Sequence, residues 1–94
     1  MEALPEPLKF EWDKGNSNKN WIKHKVSNEE CEECFFDPHK RIVKDTFHSG
    51  TEERFILLGH TAFGRALFIV FTVREKDVRI ISARDINKKE EKLL

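Results

Sequence analysis

The run Ala66-Leu67-Phe68-Ile69-Val70-Phe71-Thr72-Val73-Arg74, followed by Glu75-Lys76-Asp77 and then Val78-Arg79-Ile80-Ile81-Ser82-Ala83-Arg84, decides the fold. Two β-branched and aromatic runs of strand length flank three polar turn residues, the pattern of an antiparallel hairpin. With Arg74 opposite Val78, Thr72 faces Ile80, Val70 faces Ser82 and Phe68 faces Arg84, all on one side of the sheet. The other side carries Leu67, Ile69, Phe71, Val73, Ile81 and Ala83. It is nearly pure hydrocarbon and is predicted to pack on helices. The first side is mixed, and Arg79 and Arg84 bracket an otherwise apolar strand, which a strand that only filled a core would not need. If the preceding hairpin pairs His60 with Ala66, Arg54 and His60 join Thr72, Arg74, Ser82 and Arg84 on the mixed side. A one-residue slip would move Arg54 to the other.

Upstream, Arg54 to Thr61 reads as a long strand that leads through a turn at Ala62-Phe63-Gly64 into the hairpin. Arg41 to Lys44 is a shorter strand and Thr46 to Gly50 a loop. Ser27-Asn28-Glu29-Glu30 is a capping box, in which the Ser hydroxyl accepts the Glu30 N–H and the Glu30 carboxylate reaches back to the Ser27 N–H. It opens a helix from Asn28 to Phe36, with Val26 and Cys31 at the staple positions and Asp37-Pro38 as its stop. Phe10-Glu11-Trp12 alternates as a short strand, and Asp13 is placed to cap a polar helix from Lys14 to Lys25. Asn87-Lys88-Lys89-Glu90 offers a second capping-box start for a short C-terminal helix. Strands and helices are segregated along the chain. The expectation is a single α+β domain over residues 1–94, with helices on one face of an antiparallel sheet of about four to five strands. Residues 1–9 are expected to form a flexible N-terminal extension.

A chain of 94 residues with 38% hydrophobic content can build one modest core and no second one. Its longest apolar run, Ala66 to Phe71, is far short of the ~20 residues needed to cross a bilayer. Met1-Glu2-Ala3-Leu4-Pro5 has neither a positive start nor an apolar signal region, so a soluble cytoplasmic protein is expected. Net charge is zero, yet the charge lies in blocks: −3 over residues 1–13, +4 over 14–25, −5 over 26–37 and +4 over 38–94. An acidic helix beside a basic sheet could bind RNA on one side and a basic partner on the other; solvated surface charge is the plainer reading of any single block.

Several stretches in this order and spacing resemble the BrnT family, the toxin halves of bacterial type II toxin–antitoxin pairs. They are Phe10-Glu11-Trp12-Asp13, Asn20-Trp21-Ile22-Lys23-His24-Lys25-Val26-Ser27, Glu52-Glu53-Arg54-Phe55, Gly64-Arg65, Thr72-Val73-Arg74 and Arg79-Ile80-Ile81-Ser82-Ala83-Arg84. The resemblance runs from Phe10 to about Glu91. It implies a RelE-like fold and a metal-independent endoribonuclease that needs no cofactor, cleaves RNA and inhibits translation. It also implies a ribbon-helix-helix, BrnA-like antitoxin that neutralises the toxin in a two-to-two heterotetramer, with DNA met only through the antitoxin and no membrane role. One departure stands out. The family pattern often places a Tyr in the C-terminal helix, whereas this chain has no Tyr and carries Leu94 near that position. The alternative from another class is a non-catalytic, toxin-derived module that only binds the antitoxin and acts in co-repression.

Metal-free RNA cleavage needs a base for the 2′-OH proton, cations for the phosphorane charge and an acid for the leaving oxygen. Arginine suits the second task because its planar fork bonds two phosphate oxygens and keeps its proton. Under the resemblance, Arg54 and Arg84 are expected in catalysis with Lys23 and His24, and Arg65, Arg74 and Arg79 in RNA or phosphate binding. Ion pairing or a solvated strand end is the better reading of Arg74, and of Arg79 if it pairs with Glu75 or Asp77. His24 is either a proton carrier, its imidazole ordinarily titrating near ~6.5, or a helix C-cap. His39 and His48 are expected to be exposed and inert, with His60 an intermediate case. Glu52 and Glu53 are expected to balance neighbouring arginines. Phe63 at a turn tip, with Glu29 and Glu30 of the acidic patch that also holds Glu32 and Glu33, is the expected antitoxin contact.

Cys31-Glu32-Glu33-Cys34 has no second Cys pair or spaced His pair to complete a zinc site, so no metal is expected there. Its thiols fall on one helix face and are expected to be buried, reduced and small-apolar in role. Phe10, Trp12 and Trp21 are expected in a hydrophobic core at the strand–helix junction rather than stacking on bases.

Overall fold

In the computed structural model, which describes residues 4–46, 50 and 52–94, β1 (Arg41–Asp45), β2 (Arg54–His60), β3 (Ala66–Arg74) and β4 (Asp77–Asp85) form an antiparallel sheet in sequence order. Three short helices accompany it among those residues: α1 (Lys19–His24), α2 (Asn28–Cys34) and α3 (Lys88–Glu91). The β2–β3 register pairs His60 with Ala66, the one of the two registers left open by the sequence that puts Arg54 on the mixed side.

The β3–β4 hairpin departs from its predicted register in a compensated way. Arg74 pairs with Asp77, not Val78, so the turn holds only Glu75 and Lys76. Glu75 takes a positive φ of 58°, the backbone sign that tight hairpin turns require. Thr72 therefore faces Arg79 rather than Ile80, and Phe71 faces Ile80. Ile81 is then an extra residue in β4, a bulge after which Val70 meets Ser82 and Phe68 meets Arg84 as expected. The shortened turn and the bulge cancel. As a result Ile80, not Ile81, is the fully buried isoleucine of β4.

The covered face of the sheet holds Leu57, Leu67, Ile69, Phe71, Val78, Ile80 and Ala83, packed against Val26, Cys31, Cys34 and Phe35. Phe35 meets Phe10 and Phe71 edge-on, with centroids 5.2 and 5.0 Å away. The α2 capping box forms as predicted, and Val26 and Cys31 are both buried. α2 comes so close to β2 that a Cβ on Gly59 would stand 3.0 Å from the Cys34 carbonyl oxygen. A side chain at that position would require the carbonyl to give by a few tenths of an ångström. Cys31 and Cys34 are buried and free, and burial, with a smaller contribution from neighbouring charges, pushes both thiols up to about 12.

Other expectations need correction. α1 begins at Lys19, not Lys14, because asparagine and aspartate side chains satisfy the preceding backbone locally and so compete with helix. Asp13 accepts the Gly15 N–H, while Asn16 accepts the Asp13 N–H and donates to the Glu11 and Ile80 carbonyls. Asp13 thus makes a turn and does not cap a helix. Phe10–Trp12 is not a strand: it contributes a single parallel bridge, Phe10 to Val78. Trp12 is partly buried and donates its indole N–H to Glu32. Trp21 is not in the core but 49% exposed, since α1 turns Asn20 inward instead. In the N-terminal segment expected to be flexible, Leu4 and Leu8 pack against the core and the Lys9 carbonyl accepts the Val78 N–H. Residues 1–3, 47–49 and 51, hence His48 and most of the loop from Thr46 to Gly50, lie outside the described residues. Among the described residues, no helix is long and apolar enough to cross a membrane.

Candidate functional site

α1 and α2 leave one face of the sheet uncovered, and the pairings assign Ile56, Leu58 and His60 from β2, Phe68, Val70, Thr72 and Arg74 from β3, and Arg79, Ser82 and Arg84 from β4 to it. Its charged residues gather at two ends. At one end Arg84 lies over the Phe68 ring, 4.1 Å from the centroid, and grips Glu90 of α3 through Nη1 and Nη2 at 2.9 and 2.8 Å. At the hairpin-turn end Arg79 bonds Glu11 at 2.8 Å and Asp13 at 2.7 Å, and Arg74 bonds Glu52 at 2.6 Å with Glu11 3.6 Å away. The partners expected for Arg79, Glu75 and Asp77, are replaced by acids from the N-terminal segment. Thr72 is buried here and donates its hydroxyl to the Glu53 carbonyl at 2.6 Å.

Arg54 and Arg84 do not meet. Arg54 opens β2 opposite Asp45, and it and Asp45 are both engaged with partners. Extending the Phe55–Phe71 pairing by one residue sets Arg54 beside Thr72, whereas Arg84 is beside Phe68. Four residues along β3 and two strand spacings across put their Cα atoms roughly 16 Å apart.

Arg65 occupies a third location, where it joins four segments. Its Nε and Nη2 hold Asp85 at 2.7 and 3.0 Å, Nη1 holds Glu30 and the Lys25 carbonyl, and Nη2 also reaches the His24 carbonyl. The guanidinium is 28% exposed and its donor set is taken up within the protein. Arg65 first of all draws the Asp85 carboxyl below its usual range, and Arg84 does the same to Glu90.

The family model described as "Ribonuclease toxin, BrnT, of type II toxin-antitoxin system" matches residues 12–90. The chain belongs to the BrnT family. No curated protein matches the chain significantly. The BrnT match takes in both ends of the open face, from Asp13 at one to Arg84 and Glu90 at the other, and leaves Leu93 and Leu94 outside it.

Among the other residues expected to act in this BrnT chain, Lys23 and His24 end α1 with exposed side chains, away from the open face, and Lys25 in a left-handed conformation caps the helix. Phe63 is 99% exposed and Glu29 is exposed, whereas Glu30 turns inward to Ser27 and Arg65. Phe36, 66% exposed, lies near Glu33, which accepts the N–H of Ala62, the residue before Phe63. Sequence reasoning missed three residues. Asn16 and Asn20, both buried, serve the backbone of β4, Asn20 by accepting the Ala83 N–H at 3.0 Å. Asp37, read only as a helix stop, accepts the His60 backbone N–H at 2.8 Å and bonds its ring Nδ1 at 2.9 Å. Burial works against ionisation of Asp37, but the N–H groups of His39 and His60 and the imidazole outweigh it and hold the carboxyl low. Among the described residues, no three His, Cys, Asp or Glu side chains are grouped to hold a metal ion.

Proposed function

We propose that this chain is an endoribonuclease toxin that cuts RNA by attack of the 2′-OH without a metal ion, blocks translation in the cytoplasm, and is neutralised by a ribbon-helix-helix antitoxin in a two-to-two complex. The observation that carries this reading is the Arg84 fork. On the open face, braced by Phe68, it already holds a carboxylate in the two-oxygen geometry in which it would hold a phosphate. Among the described residues, Arg65, Arg74 and Arg79 each bridge two carboxylates, while Arg84 holds one carboxylate, Glu90 of a four-residue helix, besides the Asp85 carbonyl. Replacing Glu90 with a phosphodiester therefore disrupts less than opening any of the other three pairings.

In this reading Arg84 stabilises the charge that develops on the phosphorane, and Arg54, about 16 Å away on the same face, holds a neighbouring phosphate. Arg74 and Arg79 add positive potential at the turn end. Lys23 and His24, exposed at the end of α1, lie off this face and have no role in this reading. Arg65 joins the segments that carry Asp85 and α2. Exposed Phe63 and Glu29 contact the antitoxin.

Mapping of RNA ends tests the function. The isolated protein in excess EDTA should leave a 2′,3′-cyclic phosphate and a 5′-OH; cleavage lost in EDTA and restored by a divalent ion would overturn the mechanism. The rival, a non-catalytic antitoxin-binding module, draws support from the occupied Arg84 fork. It predicts no cleavage with retained antitoxin binding.

A further inference from the structure

We infer that His60 is the proton-transfer group of this ribonuclease and that Asp37 is its positioning residue. This rests on the ribonuclease reading and adds a base to it. Asp37 ends the segment after α2, and its Oδ1 accepts the His39 N–H while Oδ2 accepts the His60 backbone N–H. The same Oδ2 stands 2.9 Å from the His60 ring Nδ1. An ionised carboxylate can only accept, so Nδ1 carries the proton and donates it. Nε2 is then left as the basic nitrogen, with no partner among the described residues. The Asp37 side chain is 8% exposed, which fixes the acceptor, whereas the imidazole is 41% exposed, which leaves its outer edge open to substrate.

The register places this imidazole at the Arg84 end of the open face. His60 is opposite Ala66 on β3, and two residues further along Phe68 is opposite Arg84 on β4. Two strand spacings across and two residues along put the Cα atoms of His60 and Arg84 about 12 Å apart. Arg84 reaches back over the Phe68 ring of β3, and the row beside His60 holds Ala66, whose methyl group is the smallest side chain there. A phosphodiester in the gap would have a base on one side and a charge-stabilising fork on the other. Among the described residues, the charged groups that share the imidazole's hollow are Asp37 and Glu33 on α2, with Arg84 about 12 Å away across the face.

The step balances without a co-reactant beyond water. His60 Nε2 removes the 2′-OH proton as the 2′-oxygen bonds to phosphorus. The bond from phosphorus to the 5′-oxygen breaks, and that oxygen takes a proton from water as the imidazolium returns one to solvent. The products are a 2′,3′-cyclic phosphate and a 5′-OH, with no change in oxidation state.

The test uses the full chain and a labelled RNA oligonucleotide, with a 2′-deoxy version as an uncleavable binding probe. His60→Ala and His60→Gln should each lower kcat by about 10²-fold or more, the range for a lost general base, while probe binding stays within about twofold. Added imidazole should restore part of the His60→Ala rate, and the acid limb of the pH–rate profile should disappear in both variants. Asp37→Asn should lower kcat and leave KM unchanged. Cleavage by both His60 variants within about threefold of wild type, with Arg84→Ala inactive, would overturn the assignment and leave the ribonuclease reading standing. A loss that imidazole does not restore, accompanied by weakened probe binding, would make His60 structural and also overturn it. A wild-type protein that cleaves no RNA would overturn both.

Discussion

Arg84 and Glu90 are joined by two parallel bonds of 2.9 and 2.8 Å, so the last helix of the chain closes onto the open face of the sheet through one carboxylate. The same glutamate caps α3, since its side chain accepts the Asn87 N–H and its own N–H donates to Asn87. A short helix is thereby fixed at its start by its capping box and to the sheet by an ion pair. An anion that took the fork would leave the capping box intact.

Replacing Arg84 should therefore separate activity from stability. Arg84→Ala is expected to lower RNA cleavage by about 10²-fold, the usual loss when one charge-stabilising donor is removed, and to abolish growth arrest. The side chain is 37% exposed, so no buried cavity results and Tm should fall only slightly. Glu90→Gln should instead strengthen RNA binding by releasing the fork. Undiminished toxicity of Arg84→Ala, or a large fall in Tm, would refute this.

Arg65 should behave in the opposite way. Its removal unpairs Asp85 and Glu30 and two backbone carbonyls at once. Arg65→Ala is expected to cost roughly 2 kcal/mol, the scale of lost bonds to charged groups discounted for partial exposure. Arg74→Ala, at a 48% exposed side chain, should leave the midpoint nearly unmoved. Urea unfolding of both variants checks the contrast.

The two cysteines should resist modification in the folded protein. With both thiols pushed to about 12, the thiolate needed for attack on a disulfide reagent is scarce near neutral pH, and burial blocks access. Titration with a thiol reagent should label neither in buffer and both in denaturant. Rapid labelling of the native chain would contradict the packing of α2 on β2.

Acid should weaken the fold. Asp85 and Glu90 are held low by their arginine partners; Glu30 is held low because bonds from Ser27 and Arg65 outweigh its burial. Each folded value lies below the unfolded one, so the unfolded chain binds more protons as pH falls. Stability from these groups should be fully present above about pH 4.5 and decline below it, toward the depressed folded values. Tm measured from pH 7 downward should show this. A Tm that rises on acidification would refute it.

Co-expression with the small protein encoded beside it should give one inactive complex on size exclusion. Acidic Glu29 and Glu33 on α2, with exposed Phe36 and Phe63, suit a basic partner with an apolar pocket, so association should slow as salt rises. A neighbouring gene product that neither co-elutes nor rescues growth would remove the partner.

Residue type and spacing alone determined the hairpin strands, the capping boxes at Ser27 and Asn87, the split of the sheet into apolar and mixed faces, and the family. All are local or periodic properties, which alternation and side-chain-to-backbone bonds a few residues apart can express. The pairing of Val70 with Ser82 and Phe68 with Arg84 was legible for the same reason, although it was reached through a turn one residue too long. Tertiary structure decided the rest. The bulge at Ile81 follows from the need to bury Val78, Ile80 and Ala83 together, a demand of the core and not of the strand sequence. The roles of Asn16 and Asn20 depend on β4 backbone groups some sixty residues away. Which arginines are engaged, and by which acids, depends equally on chain-distant neighbours: Glu11 and Asp13 reach Arg79 only because the N-terminal segment lies beside β4. Asp37 and His60, 23 positions apart, meet because α2 closes over Gly59 and presents its end to the last residue of β2. Long-range hydrogen bonds and ion pairs carry no periodic signature in a single sequence, so the folded chain alone reveals them.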